Sequence, residues 1–165
     1  MNFEKIDKEI LDHISSTDYK TLSREIASNI SGRIPHHWMQ VLHSICTLYE
    51  IRNYMEIGVH NGGSMSYVVN DNLQKKCIGI DLWELGAVHR DNLQKERTKE
   101  NIENNNKSNS EIILIQGDST SEEVIDLVDN SITEPIDLLF IDGDHSYEGV
   151  KLDFTNYTKY VKSGG

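Results

Sequence analysis

Residues 54–64 read Tyr-Met-Glu-Ile-Gly-Val-His-Asn-Gly-Gly-Ser. A short apolar run carries an acid, Glu56, two residues ahead of Gly58. The pair Gly62-Gly63 follows, then Ser64 and a helix-like segment. Glycine admits positive φ and removes side-chain bulk. A glycine turn between a strand and a helix therefore lets a ligand sit directly against backbone N–H groups. A nucleotide-like cofactor is the first expectation for this chain.

The segments around this turn repeat its logic. Residues 53–58, 76–82, 111–116 and 136–142 are short runs rich in Ile, Val and Leu, each followed by polar residues and a helix-like stretch. Such strand–helix alternation predicts an α/β fold, a parallel sheet with helices on both faces. Parallel strands are buried on both sides, so Ile112-Ile113-Leu114-Ile115 does not alternate. Helical segments come first. Ile6, Ile10, Leu11 and Ile14 share one helix face, and Leu22, Ile26 and Ile30 another. Ser31-Gly32 punctuates, and Pro35 suits the first turn of a third helix running to about Glu50. This divides the chain into an N-terminal helical extension, 1–34, and a cofactor-binding domain, 35–165, with no internal repeat and no linker. Val161-Lys162-Ser163-Gly164-Gly165 reads as the lead-in to a further strand, so the C-terminal strands of the sheet are expected to be missing. Residues 136–141 would then form an edge guarded only by Asp137. The expectation is that the chain alone self-associates there, is poorly soluble, or needs a further segment to bind substrate.

Bulk composition narrows the function. A length of 165 residues suffices for one domain with a real core. With 27 acids against 16 bases the formal charge is −11, which disfavours nucleic-acid binding. Cys46 and Cys77 lie in separate apolar segments without metal-ligand spacing, as buried thiols in a reducing compartment would. Charges scattered through the N-terminus are wrong for a signal peptide, and no apolar run is long enough to span a membrane. A soluble, cytoplasmic protein is expected. The asparagine-rich residues 101–109 read as a polar helix end or loop.

In an open α/β sheet the ligand lies beyond the carboxyl ends of the strands. Each predicted strand delivers an acid near that end: Glu56, then Asp81, then Asp118 beside Ser119, then Asp142 with Asp144 and His145 just beyond. Four acids along one sheet edge form a narrower pattern than any one of them. Asp81 lies 23 residues after Gly58, one strand–helix–strand unit on. A carboxylate there accepts from both hydroxyls of a ribose, or is a solvated loop acid. Trp83 reads either as a neighbour of an adenine or as a ring closing the core. Asp118 reads either as an acceptor for a base's exocyclic amine or as a cap for the helix near Thr120. A nicotinamide fingerprint is Gly-x-Gly-x-x-Gly, whereas His60 stands here where a pyrophosphate needs the middle glycine.

With these residues in view, the chain resembles a class I S-adenosylmethionine-dependent methyltransferase from about residue 33 to its end. Glu56-Ile-Gly-Val-His-Asn-Gly-Gly-Ser64 resembles the family's first motif, Ile78-Gly-Ile-Asp81 the second, and Gly117-Asp-Ser119 the third. Phe140-Ile-Asp-Gly-Asp-His-Ser-Tyr-Glu-Gly-Val150 resembles a small-molecule O-methyltransferase subgroup. That subgroup includes catechol-type enzymes, antibiotic-sugar O-methyltransferases and cephalosporin-hydroxylase-like proteins. The resemblance implies a Rossmann-like methyltransferase sheet. It implies Glu56, Gly58, Gly62, Gly63 and Ser64 around the methionine part of S-adenosylmethionine, Asp81 at its ribose and Asp118 at its adenine. In metal-dependent members the acid after the fourth strand binds a divalent cation, which implies Asp142 for Mg²⁺. The other ligands of those members follow a fifth strand that this sequence does not reach.

Methyl transfer from a sulfonium to oxygen needs an in-line approach and a polarised or deprotonated hydroxyl. A divalent ion on oxygen ligands lowers a hydroxyl pKa and orients it. Asp142 is the right ligand type and Asp144 a candidate second one. His145 reads as a ligand or general base, or as an exposed loop histidine capping the next helix. His36 and His37 read as part of a lid or as a surface helix start. His60 shapes the turn. Tyr147 packs or meets the substrate. The function expected is S-adenosylmethionine-dependent methyl transfer to a hydroxyl of a small molecule, with Asp142 and His145 catalytic and Mg²⁺ a candidate assistant. The expected partner is a hydroxylated small molecule, with no nucleic acid and no membrane; a homo-oligomer stays open. The alternatives are a non-catalytic cofactor-binding module, a cephalosporin-hydroxylase-like oxygenase, and a nicotinamide oxidoreductase, which the glycine spacing disfavours.

Overall fold

The computed structural model describes residues 3–30, 38–83 and 95–163. Helices α1 (Phe3–Ser16), α2 (Tyr19–Asn29) and α3 (Met39–Leu48) lead into an alternation of strands and helices. These are β1 (Asn53–Ile57), α4 (Gly63–Val68), β2 (Lys76–Asp81), α5 (Lys95–Glu103), β3 (Glu111–Gln116), α6 (Glu122–Ser131), β4 (Leu138–Ile141) and α7 (Tyr147–Tyr157). The expected parallel sheet is present, in the order β3-β2-β1-β4. Helix starts follow capping chemistry: Asp18, Ser121 and Ser146 each accept a backbone N–H from the first turn of α2, α6 and α7. Ser31, Gly32 and Pro35 lie outside the described residues, and α3 ends two residues short of Glu50.

The strands lack alternation because each face has its own core. Tyr54, Cys77 and Leu114 pack with Leu42, Cys46, Met65, Val68 and Ile102 under α3, α4 and α5. Met55, Ile57, Ile78, Ile80 and Ile115 pack with Val124, Val128 and Tyr157 under α6 and α7. A third cluster of Tyr19, Ile26, Ile30, Met39 and Tyr67 seals the first two helices onto α3 and α4. There His13 Nδ1 and Tyr19 OH both meet the buried Ser44 hydroxyl, at 3.0 and 2.8 Å. Cys46 and Cys77 are free and buried, and burial raises both thiol pKa values, that of Cys46 to about 12. Among the described residues no helix is long and apolar enough to cross a membrane.

The β4 border is more protected than the sequence suggests. Ile136 donates to Tyr160 O (2.9 Å) and accepts from Lys162 N–H (3.0 Å), so the chain after α7 begins to pair alongside β4. Asp137 does more than charge an edge. It accepts the N–H groups of Arg52 and Asn53, each at 2.8 Å, and the Lys162 ammonium at 2.7 Å, tying the starts of β1 and β4 together.

Candidate functional site

Register sets the site. Ile57 pairs with Ile80 on one side and Ile141 on the other, so Gly58, Asp81 and Asp142 emerge side by side at the carboxyl edge. The ladder continues one step past β1: Gly58 N–H donates to Ile80 O (2.9 Å) and Asp142 N–H to Ile57 O (2.8 Å). Gly58 has φ +89°, and a Cβ there would collide with the Asp142 carbonyl. Its lack of a side chain thus serves contact between the first turn and the β4 loop. Gly62, at φ +81°, leads into α4, and a Cβ on it would lie 2.7 Å from Ile102 Cγ1. Gly63 N–H donates to the Asn61 side chain at 3.2 Å.

The four acids separate into distinct environments. Asp81 caps the turn itself, accepting His60 N–H at 2.7 Å through one oxygen and Trp83 N–H at 2.8 Å through the other. Glu56 is not on the rim. It is fully buried beneath α4, where Tyr54 OH donates to it at 2.7 Å and Ser64 Oγ donates to its other oxygen. Burial raises the Glu56 pKa to about 8 against the pull of those two hydrogen bonds, and the Asp142 and Asp81 charges add to the rise. Asp118 is exposed and forms a local turn, accepting Thr120 N–H (2.8 Å) and Thr120 Oγ1 (2.7 Å). The helix cap, the alternative reading of Asp118, is supplied by Ser121. Asp142 is partly exposed, with His145 Nε2 3.4 Å from its Oδ1.

Asp142, Gly143, Asp144 and His145 line an open cavity of about 230 Å³ with Ile141 and Val150. Asp144 forms a local turn: its two oxygens accept Ser146 N–H (2.9 Å) and Ser146 Oγ (2.8 Å), bonds that lower its pKa. Among the described residues no group of three or more His, Cys, Asp or Glu is placed to hold a metal. The next helix is capped by Ser146, not by His145, which is 80% exposed in its side chain. Tyr147 does not pack: it is 76% exposed, with Lys151 Nζ 5.7 Å from its ring centre. Trp83 is buried in the core under α4 and α5, and its indole N–H donates to His60 O (3.0 Å) and Thr98 Oγ1 (3.1 Å). Of its two readings, the structure shows the core one. His36 and His37 lie outside the described residues.

Two sets of residues escaped the sequence reading: Asp153 and Tyr157, which hold Ser119, and Thr98 with Asn101. Ser119 donates to the buried Asp153 at 2.6 Å and accepts from Tyr157 OH at 2.7 Å, so α7 fixes the loop after β3. Burial raises the Asp153 pKa. Thr98 and Asn101 of α5 reach the 58–64 turn from below. The spacing 98, 101, 102, 105 is a helical stripe, and that periodicity was a usable signal for the second set.

Residues 55–165 match the family described as Methyltransferase domain. An uncharacterized protein of Acanthamoeba polyphaga mimivirus is 35% identical over 145 residues, 87% of this chain and 62% of the relative. The chain thus spans less than two thirds of that relative's length. A candidate caffeoyl-CoA O-methyltransferase from Staphylococcus aureus superposes with a TM-score of 0.61 at 17% identity, over 99% of this chain and 71% of that one. An O-methyltransferase from Bacillus cereus, solved in complex with SAH, has a TM-score of 0.61 at 18% identity, over 96% and 68%. Likeness at these identities shows the fold, a Rossmann-like methyltransferase sheet.

Proposed function

This chain belongs to the methyltransferase-domain family, and on that footing we propose that it binds S-adenosylmethionine and transfers its methyl group to a hydroxyl of a small molecule. One observation carries the reading. Gly58 packs directly on the Asp142–Gly143 backbone, so the cofactor turn and the cavity holding Asp142 and His145 are neighbours. In this reading Asp81 takes the ribose, the 58–64 turn receives the methionine part, and the acceptor occupies the 230 Å³ cavity. When bound, S-adenosylmethionine would supply the methyl group, the acceptor oxygen's lone pair forming the new C–O bond as the C–S bond breaks to leave a neutral thioether. The hydroxyl proton passes to His145, whose imidazolium Asp142 stabilises from 3.4 Å. Alignment of methyl and oxygen by two adjacent sites contributes the entropic part of the rate.

A divalent ion fits the described residues poorly, since Asp144 is engaged with Ser146 and no three-ligand group is present among them. No step is routed through a metal. A non-catalytic cofactor-binding module is the second reading, favoured by the open exposure of His145. The test pairs calorimetric titration with S-adenosylmethionine, S-adenosylhomocysteine and NAD with a labelled-methyl assay on catechols and hydroxylated sugars, with and without chelator. Binding of the adenosyl ligands, weak NAD binding and chelator-resistant transfer that His145→Gln abolishes are the expected results. Tight NAD binding without response to S-adenosylhomocysteine overturns the proposal. Cofactor binding with no transfer to any acceptor favours the module, and loss of transfer in chelator restores the metal.

A further inference from the structure

We infer that Thr98 and Asn101 of α5 are positioning residues for the 58–64 turn, holding its peptide groups in the arrangement that receives the cofactor. The inference rests on the cofactor reading of that turn. Both residues are among the most buried polar groups of the chain, Thr98 at 0% and Asn101 at 2% exposure. Thr98 Oγ1 donates to His60 O at 2.7 Å, and the Trp83 indole shares both atoms. Asn101 Nδ2 donates to Asn61 O at 2.9 Å. Asp81 in turn accepts His60 N–H at 2.7 Å. Two consecutive carbonyls of the turn are thus pinned towards α5. A trans peptide sets C=O and N–H on opposite sides, so pinning the His60 carbonyl downwards directs Asn61 N–H away from α5. His60 itself is held at φ +53°, a left-handed conformation unusual for a residue with a side chain.

An apolar residue at 98 or 101 packs a helix equally well. At 98 it removes one of the two donors to the His60 carbonyl and leaves the Trp83 indole, and at 101 it removes the side-chain donor to the Asn61 carbonyl; each lost hydrogen bond weakens the hold of α5 on the turn. The polar stripe continues as a ladder. Asn105 Nδ2 donates to Asn101 O at 2.9 Å, and Asn29 Nδ2 donates to Asn105 Oδ1 at 3.2 Å, so the turn just past α5 is tied to the end of α2. Asn105 makes no contact with the turn in this ladder and serves as the control for general loosening of α5.

The experiment measures amide hydrogen exchange across the unliganded protein and, separately, calorimetric titration with S-adenosylhomocysteine. The variants are Thr98→Val, which keeps the shape and removes the hydroxyl, Thr98→Ser, which restores it, Asn101→Asp, and Asn105→Ala. In Thr98→Val and Asn101→Asp, exchange at residues 60–64 should rise about tenfold with the β2 amides unchanged, and S-adenosylhomocysteine should bind about tenfold more weakly, the effect of one buried hydrogen bond. Thr98→Ser should recover both values and Asn105→Ala should leave binding near wild type. Unchanged turn exchange in Thr98→Val overturns the inference, as does an equal loss of binding in Asn105→Ala. If the unaltered protein fails to bind S-adenosylhomocysteine, the cofactor reading falls, and the exchange data still decide whether α5 holds the turn. If Asn101→Asp does not fold, the Thr98 pair decides alone.

Discussion

Asp81 already serves two backbone donors, His60 N–H and Trp83 N–H. An ionised carboxylate has about four acceptor sites, so a ribose diol can join these bonds without displacing them. Asp81→Ala removes the acceptor and leaves two turn N–H groups unmet. S-adenosylhomocysteine affinity should fall by about 1.5–3 kcal/mol, read by calorimetry; wild-type affinity in this variant would place the ligand elsewhere. Glu56 makes a pH prediction. Its folded pKa of about 8 lies above the ordinary 4.5, so between these values the folded chain retains a proton that the unfolded chain has released. Stability therefore falls as pH rises through that window, by up to about 1.4 kcal/mol per unit. Glu56→Gln, which keeps the shape without the charge, should flatten the dependence of urea midpoints between about pH 5 and 8. A slope of the same sign from Asp153, also raised by burial, should remain. An unaltered slope would mean that Glu56 is ionised in its pocket.

The turn after β1 shows how one element is shaped by its neighbours. Gly58 and Gly62 both have positive φ, yet they face different obstacles. A side chain at Gly58 meets the carbonyl of Asp142, backbone held in the sheet ladder. One at Gly62 meets the Ile102 side chain, which can shift. Gly58→Ala should therefore cost about 3 kcal/mol or more and Gly62→Ala about 1–2 kcal/mol, both by denaturant unfolding. Equal costs would show that backbone strain alone, not the β4 contact, sets the penalty. At the other end of the sheet Asp137 joins β1, β4 and Lys162. Its hydrogen bonds outweigh the effect of burial and lower its pKa. The stabilisation it brings is present above the ordinary carboxylate pKa of 3.8 and is lost as pH falls through the lower folded value.

At the scale of the whole molecule, the first two helices are not an appendage. Ile26 is fully buried against Tyr19, Met39 and Tyr67, which links them to the helices over the sheet. Ile26→Ala should lower stability by about 2–4 kcal/mol while unfolding stays a single transition followed equally by circular dichroism and tryptophan fluorescence. An early separate transition would show that the helices unfold on their own. The sequence by itself determined the strand–helix alternation and the strand positions, because strands covered on both faces must be apolar throughout. It also determined the rim positions of Asp81 and Asp142, since each directly follows a run that has to end at the ligand edge. Only the tertiary structure separated Glu56 from those two. The pleat turns it to the same face as Tyr54, and α4 closes over it, which no local pattern records. The tertiary structure likewise turned a polar asparagine run into a clamp. Asn101 and Asn61 are 40 residues apart, and a hydrogen bond between distant segments depends on how helix and turn pack, not on the neighbours of either residue in the chain.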